Sequence, residues 1–296
     1  MKRSRQRQKP CSPSSAVSQS KTRIDSPVAT PQPADQAPQR WALGLEYRGV
    51  AYCGWQRQVG QPSVQQKLEE ALSKIAMTPI SVTAAGRTDT GVHASLQVVH
   101  FETTVARDAI AWVRGGNQYL PDDISIRWAV PVDDEFHARF AATSRRYVYL
   151  LASQTHRPGL NRGLVGWTHW PLDVSRIEAA LPALWGKHDF TSFRASECQA
   201  KSPIKTIYSA KVAQRGNVLR FDFHADAFLH HMIRNIVGAL VYIGSARQPS
   251  DWLKTLIAQK DRTLAAPTFS PDGLYLAGIE YDHRFELPEA FVDPCL

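Results

Sequence analysis

From Arg40 to Tyr281 the chain runs through strands and helices in one half and through the same alphabet again in the other, an ordering that confines it to an α+β fold built from two related units. In the first half, residues 41–47 read as a strand closed by Arg48-Gly49. Ser63 with Gln66 three residues later makes a capping-box pattern. Val64, Leu68, Ala71, Leu72 and Ile75 then recur at helical spacing, so 63–76 is a helix with one apolar face. Residues 80–84 and 96–101 read as strands on either side of a polar loop. Asp108 can cap a helix to about Tyr119, and 124–130 and 145–151 are further strands. The second half holds a helix near 175–185 and a hairpin from 207 to 224 turning at Arg215-Gly216-Asn217. A buried helix at 227–244, a short helix at 251–259 and a strand at 274–281 follow.

A chain of 296 residues with 43% hydrophobic content can bury one large core or two smaller ones. Its longest apolar region, 225–244, is interrupted by Asp226, His230, His231, Arg234 and Asn235, which argues against a membrane span. The four cysteines, Cys11, Cys53, Cys198 and Cys295, are scattered without a C-x-x-C pair, so neither a zinc site nor a disulfide framework is expected and a reducing, cytoplasmic setting fits. The ten histidines show no metal spacing, and on a continuous helix His230 and His231 would point to different sides; no bound metal is expected.

The net charge of +8 is concentrated at one end. Residues 1–40 hold eight of the 35 Lys and Arg but two of the 27 acidic residues, so the remainder carries 27 basic against 25 acidic groups. That stretch also has six of the 19 prolines and no Leu, Phe, Tyr or Trp. It reads as a disordered basic tail over 1–39, ahead of units at 40–135 and 136–285 and a C-terminal tail at 286–296.

The segment Gly86-Arg87-Thr88-Asp89-Thr90-Gly91-Val92-His93-Ala94 carries the chemistry. Two glycines bracket a cation and a carboxylate, which a tight loop can present side by side. Taken alone, Asp89-Thr90-Gly91 also has the composition of an ordinary turn. His93 and His100 sit at or beside strands and read as structural, each satisfied by a buried hydrogen bond.

This loop resembles the G-R-T-D-A-G-V-H-A signature of the tRNA pseudouridine synthase family that modifies positions 38 to 40 of the anticodon stem-loop. The likeness continues, in the family's order, through Gln97-Val98-Val99-His100-Phe101, Ser144-Arg145-Arg146-Tyr147, His188-Asp189-Phe190-Thr191-Ser192-Phe193, Ala227-Phe228-Leu229-His230-His231-Met232-Ile233-Arg234-Asn235 and Gly273-Leu274-Tyr275-Leu276, covering about 41–282. The resemblance implies two units sharing one mostly antiparallel sheet, with outer helices and a central RNA-binding cleft. It implies a homodimer on which one tRNA touches both chains. Asp89 would be the catalytic carboxylate, as nucleophile at C1′ or as base in an elimination route, and Arg234 its partner in the substrate site. Arg87 would be the base-flipping residue, Tyr147 would stack on the target base, and Leu274 would floor the pocket.

Basic and aromatic residues interleave at Phe136-His137-Ala138-Arg139-Phe140 and at Arg145-Arg146-Tyr147, as a surface that tracks phosphates while stacking on bases would require. Glu197, Cys198, Gln199, Ala200 and Lys201 are a further candidate RNA-contacting loop. The isomerisation involves no redox change and no energy donor, which suits a chain without a P-loop or G-x-G-x-x-G motif; no cofactor is expected. Two residues depart from the family pattern: Thr90 replaces the usual Ala after the aspartate, and Asp226 replaces the usual Asn before Ala227. A non-catalytic tRNA binder would keep the basic strand residues without needing Asp89, Arg234 and Leu274 together, and a hydrolytic glycosylase would need a second carboxylate to activate water.

Overall fold

Alternation sorts the side chains of the first strand, β1 (Gln39–Tyr47), so that Trp41, Leu43, Leu45 and Tyr47 are all buried. A computed structural model describes residues 37–294; the tail expected at 1–39 lies almost wholly outside them. Nine further strands follow β1 among the described residues: β2 (Thr83–Ala84), β3 (His93–Thr103), β4 (Ile124–Val132), β5 (Ser144–Ser153), β6 (Gly166–Thr168), β7 (Gly186–Asp189), β8 (Ile204–Arg215), β9 (Val218–Ala225) and β10 (Leu274–Glu280). They form one sheet in the order β4-β1-β3-β10-β5-β9-β8-β7, with β2 on β3 and β6 on β5. All pairings are antiparallel except β3 with β10 and β5 with β6. The α+β architecture with a mostly antiparallel sheet is therefore present as expected.

The sheet's seam is short. β3 and β10 pair only at His93 with Tyr275 and Ala94 with Leu276. Beyond that point the C-terminal segment fills the opening: Ile279 donates to the Ala290 carbonyl, Val292 to Ala277, and the Ser95 hydroxyl to Val292. Residues 286–294, expected as a tail, are thus tied into the sheet, and the Arg127 guanidinium grips Glu289 from β4.

Two cores flank this seam. One packs β1, β3 and β4 under α1 (Val64–Ala76) and centres on Trp55, Leu68, Phe101 and Trp112. The other packs β5, β8 and β9 under α3 (Val174–Ala180), α4 (Met232–Gly244) and α5 (Trp252–Gln259) and centres on Phe190, Phe221, Ile236 and Leu240. Tyr147 touches both. Val148, Leu150 and Ala152 of the same strand face the other way, into a small third cluster with Tyr275 and Ala277.

Local chemistry explains most helix limits. Ser63 accepts the Gln66 amide and caps α1, but the Gln66 side chain turns to Glu70, so only half of the capping box forms. The helix from Asp108 includes a π turn at Ala111–Gly115 before its last turn, α2 (Gly116–Tyr119). Asp173 caps α3, and Pro182 lies in the 3-10 turn, Leu181–Leu184, that replaces the rest of the expected helix. The largest correction concerns α4. It begins at Met232, not at 227; His231 adopts the left-handed conformation at φ +60°, and 226–231 form a loop.

Candidate active site

The Gly86–Gly91 loop is held from below by backbone and side chains of the first unit. Trp55 donates its amide to the Thr88 carbonyl at 3.0 Å, the Tyr47 and Thr88 hydroxyls bond at 2.8 Å, and the Gln97 side-chain amide donates to the Gly86 carbonyl at 2.7 Å. Gly91 sits at φ +81°, where only glycine is unstrained, and closes the loop through the bond from the Val92 amide to the Asp89 carbonyl. Gly54 matters as much from outside. At φ +86° its Cα faces the loop backbone, and a Cβ there would lie 2.6 Å from the Thr88 carbonyl oxygen. The reach from Tyr52 to Pro62, featureless in sequence, is the shelf on which the loop rests.

The loop delivers Asp89 to the N-terminal end of α4. Arg234 Nη1 lies 3.1 Å from Asp89 Oδ2, while Arg234 Nε donates to the Phe269 carbonyl at 2.9 Å, so the guanidinium is fixed at both ends. The expected pairing of these two residues, 145 positions apart, is present in the structure. Sequence reading missed the other two partners: His230 Nε2 is 3.4 Å from Oδ1 and His231 Nε2 is 3.4 Å from Oδ2. Their convergence overturns the reading that the two histidines face apart, and its cause is the loop at 226–231. Adjacent histidines in a helix diverge by about 100°; with His231 in the left-handed region their ring centroids lie 3.9 Å apart.

Asp89 is 19% exposed and Arg234 14%. Burial pushes the Asp89 carboxyl up, but the His230 hydrogen bond and the charges of His231, His230 and Arg234 outweigh it, and the group sits below the ordinary aspartate value. The hydrogen bond that His230 donates to Asp89 raises the His230 imidazole, whereas burial lowers His231. The carboxylate is therefore ionised at neutral pH. Among the described residues no second carboxylate joins this cluster, so it lacks the acid-base pair that hydrolysis by an activated water would use.

Tyr147 projects from β5 between the cores, edge-on to Phe228 at 5.2 Å, and burial, with the Asp89 charge, holds its phenol protonated. Leu274, the first residue of β10, is buried. Arg87 is exposed and reaches Gln199 at 3.4 Å, which brings the 197–201 loop to the rim of the site. Arg194 shapes that loop by donating to the Cys198 and Ala200 carbonyls, leaving Glu197, Gln199 and Lys201 exposed.

The interleaved segment divides. Phe136 and Ala138 are fully buried, Phe136 against Tyr281 and Phe285, which corrects their expected place on an RNA-facing surface. His137, Arg139 and Phe140 face outward, with Phe140 77% exposed. Arg145 donates to four carbonyls, Ala85, Arg139, Ala142 and Asp226, and Arg146 pairs with Glu280 at 2.7 Å. Both cations are thus occupied by protein partners. His93 accepts from the Gly49 amide and bonds the Asp272 carbonyl, and His100 accepts from Ala138, the structural uses expected of them. Asp226 accepts the Thr206 and Ala227 amides through one oxygen, a role an asparagine would fill equally.

A family model described as tRNA pseudouridine synthase matches residues 45–141 and 180–282, blocks that hold the Asp89 loop and the Arg234 helix respectively. A mostly antiparallel sheet with helices over two cores, in a chain this family model matches, is the pseudouridine synthase fold. Proteins named tRNA pseudouridine synthase A are similar over nearly the whole described region. That of Nitrosomonas eutropha is 57% identical over 83% of this chain and 89% of its own length. Those of Thiobacillus denitrificans and Dechloromonas aromatica are 56% and 54% identical, over 85% and 84% of this chain and 96% and 95% of theirs. The chain belongs to the tRNA pseudouridine synthase family.

Proposed function

We propose that this protein isomerises uridine to pseudouridine at positions 38, 39 and 40 in the anticodon stem-loop of tRNA, with Asp89 as the reacting carboxylate. The observation that carries the reading is the Asp89–Arg234 pair, a buried carboxylate kept ionised at the meeting of two units in a chain of this family. In the reaction the N1–C1′ bond breaks, the uracil turns, C5 bonds to C1′, the C5 proton leaves and N1 gains one. Asp89 takes part either by attacking C1′ or by removing a proton in an elimination route. A stacked, paired uridine must first be extruded. Arg87, exposed on the loop two residues from Asp89, is the flipping group. Tyr147 and Leu274 hold the base, and Arg234 keeps the carboxylate charged and aimed.

His137, Arg139, Phe140 and the exposed Glu197, Gln199 and Lys201 form the RNA-facing rim; Arg145 and Arg146 act there by positioning, since their donors already hold protein acceptors. Two chains act on one tRNA as a homodimer in the cytoplasm, each built from units at 40–135 and 136–285. The decisive experiment compares wild type with Asp89→Asn on unmodified tRNA, scoring pseudouridine by carbodiimide primer extension and binding by filter retention. A loss of product by about three orders of magnitude or more with binding retained is expected. Undiminished product from the variant would remove Asp89 from the chemistry, and tight binding without product from wild type would favour a non-catalytic tRNA binder.

A further inference from the structure

We propose that Asp89, His230 and His231 together form a binding site for one divalent transition-metal ion of the Zn²⁺ class, and that the bound ion reversibly silences the enzyme by occupying its carboxylate. The silencing rests on the role of Asp89 proposed above; the binding does not.

Each imidazole Nε2 stands 3.4 Å from a carboxylate oxygen, and the three ligand atoms lie within 4.8 Å of one another. With metal–ligand distances of about 2.0–2.1 Å, the edge of a tetrahedral site is about 3.3–3.4 Å, the length of the His230 Nε2–Oδ1 edge; His231 Nε2 stands the same distance from Oδ2, so a small turn of its ring or of the carboxylate brings all three residues onto one ion. The two rings lie 3.9 Å apart between centroids, tilted by 33°, and each turns its Nε2 toward the Asp89 carboxylate. The cluster is partly open, with His230 38% and His231 25% exposed, so water completes the coordination.

The ligands are also pre-set. The His230 carbonyl accepts the Ala195 amide at 3.1 Å and its own amide bonds Cys198 Sγ at 3.4 Å, while the His231 carbonyl accepts the Asn235 amide at 2.9 Å. Ordering the loop therefore costs binding little. Arg234 opposes a second cation and shares Oδ2 with His231, but its bond to the Phe269 carbonyl holds the guanidinium in place and leaves Oδ1, which His230 faces, free of it. Two imidazoles and one carboxylate suit Zn²⁺, Ni²⁺ or Cu²⁺ and not the hard, oxygen-seeking Mg²⁺ that accompanies tRNA. A metal on Oδ1 occupies the electron pair the carboxylate needs for attack at C1′ or for proton removal.

The test is calorimetric titration of Zn²⁺ into the full chain in a background where all four thiols are removed (C11S, C53S, C198S and C295S), followed by the same background with His230→Gln and His231→Gln. One Zn²⁺ per chain, weakened at least tenfold by the double substitution and unaffected by millimolar Mg²⁺, is expected. Equal affinity with and without the histidines overturns the site, as does no binding by a serine background whose circular dichroism is native. In parallel, Zn²⁺ added to the active wild-type enzyme should lower the rate of pseudouridine formation at least tenfold, with full recovery on chelation. An unchanged rate at saturating Zn²⁺ overturns the silencing. If wild type makes no pseudouridine at all, the function proposed above fails while the calorimetry still decides the site.

Discussion

Asp89 is required to be buried and charged at once, and the arrangement around it is an answer to that conflict. Arg234 supplies a fixed charge and the two histidines a titratable one. Replacing Arg234 with Met removes part of what holds the carboxyl down, so the acid limb of the kcat profile should move to higher pH; an unmoved limb would show that Arg234 does not tune Asp89. The folded value lies below the ordinary aspartate value of about 3.9. The stability this group contributes is therefore present above that value and lost as pH falls through the folded one. Two glycines give a paired prediction. Gly54→Ala forces a Cβ against the loop at a positive φ and should cost about 1–3 kcal/mol of stability and most of the activity. Gly86→Ala meets open space without a positive φ, and denaturation should move by less than about 0.5 kcal/mol. If that variant is stable but slow, the space over Gly86 is where substrate lies. At this scale the sequence disclosed the pairing of Asp89 with Arg234, but not the convergence of His230 and His231, because a left-handed φ at a histidine leaves no mark in propensity or periodicity.

Elements were legible wherever periodicity and caps agreed, as at α1, and misread where an apolar run crossed a backbone break. Ala227, Phe228 and Leu229 continue the apolar run of α4, so the helix appeared to start at 227; in the structure these residues pack as loop, with Phe228 against Tyr147. β7, only four residues long, escaped notice because its Gly186-Lys187-His188-Asp189 has no alternating apolar pattern and is a strand only by pairing with β8. Arg145 is the element-level surprise. A basic residue in a basic, aromatic stretch invites an RNA contact, yet its guanidinium joins Ala85, beside the Asp89 loop, to the start of the 226–231 loop at Asp226. Arg145→Lys keeps the charge and loses the planar fork that serves four carbonyls. Loss of about 1–3 kcal/mol in stability with a fall in kcat larger than any change in tRNA affinity is the expected outcome. A variant that loses affinity alone would place Arg145 in RNA binding instead.

For the whole molecule, one sheet with helices over two cores was readable from element order, whereas the seam was not, since no local pattern announces a two-residue pairing between strands so far apart in sequence. Nor did composition reveal that 286–294 complete the sheet. Two truncations separate tail from structure. Removing residues 1–36 spares β1 and should leave activity within about twofold, with a large loss at low salt counting against an inert tail. Removing residues 287–296 strips the Arg127–Glu289 pair and the bonds at Ala290 and Val292, and should lower the thermal midpoint by several degrees.

The narrow seam also bears on how the enzyme comes into being. Each core can collapse around largely local partners, but the strands that join them are separated by most of the chain, and such distant pairings form late because closing so long a loop costs entropy before any contact rewards it. During synthesis the first unit leaves the ribosome with Asp89 unaccompanied, since His230, His231 and Arg234 arrive only with the 226–231 loop and α4. Phe269, which anchors Arg234, and β10, which joins the two cores, come later still, so a chain cut short before α4 lacks every side chain that holds Asp89 charged.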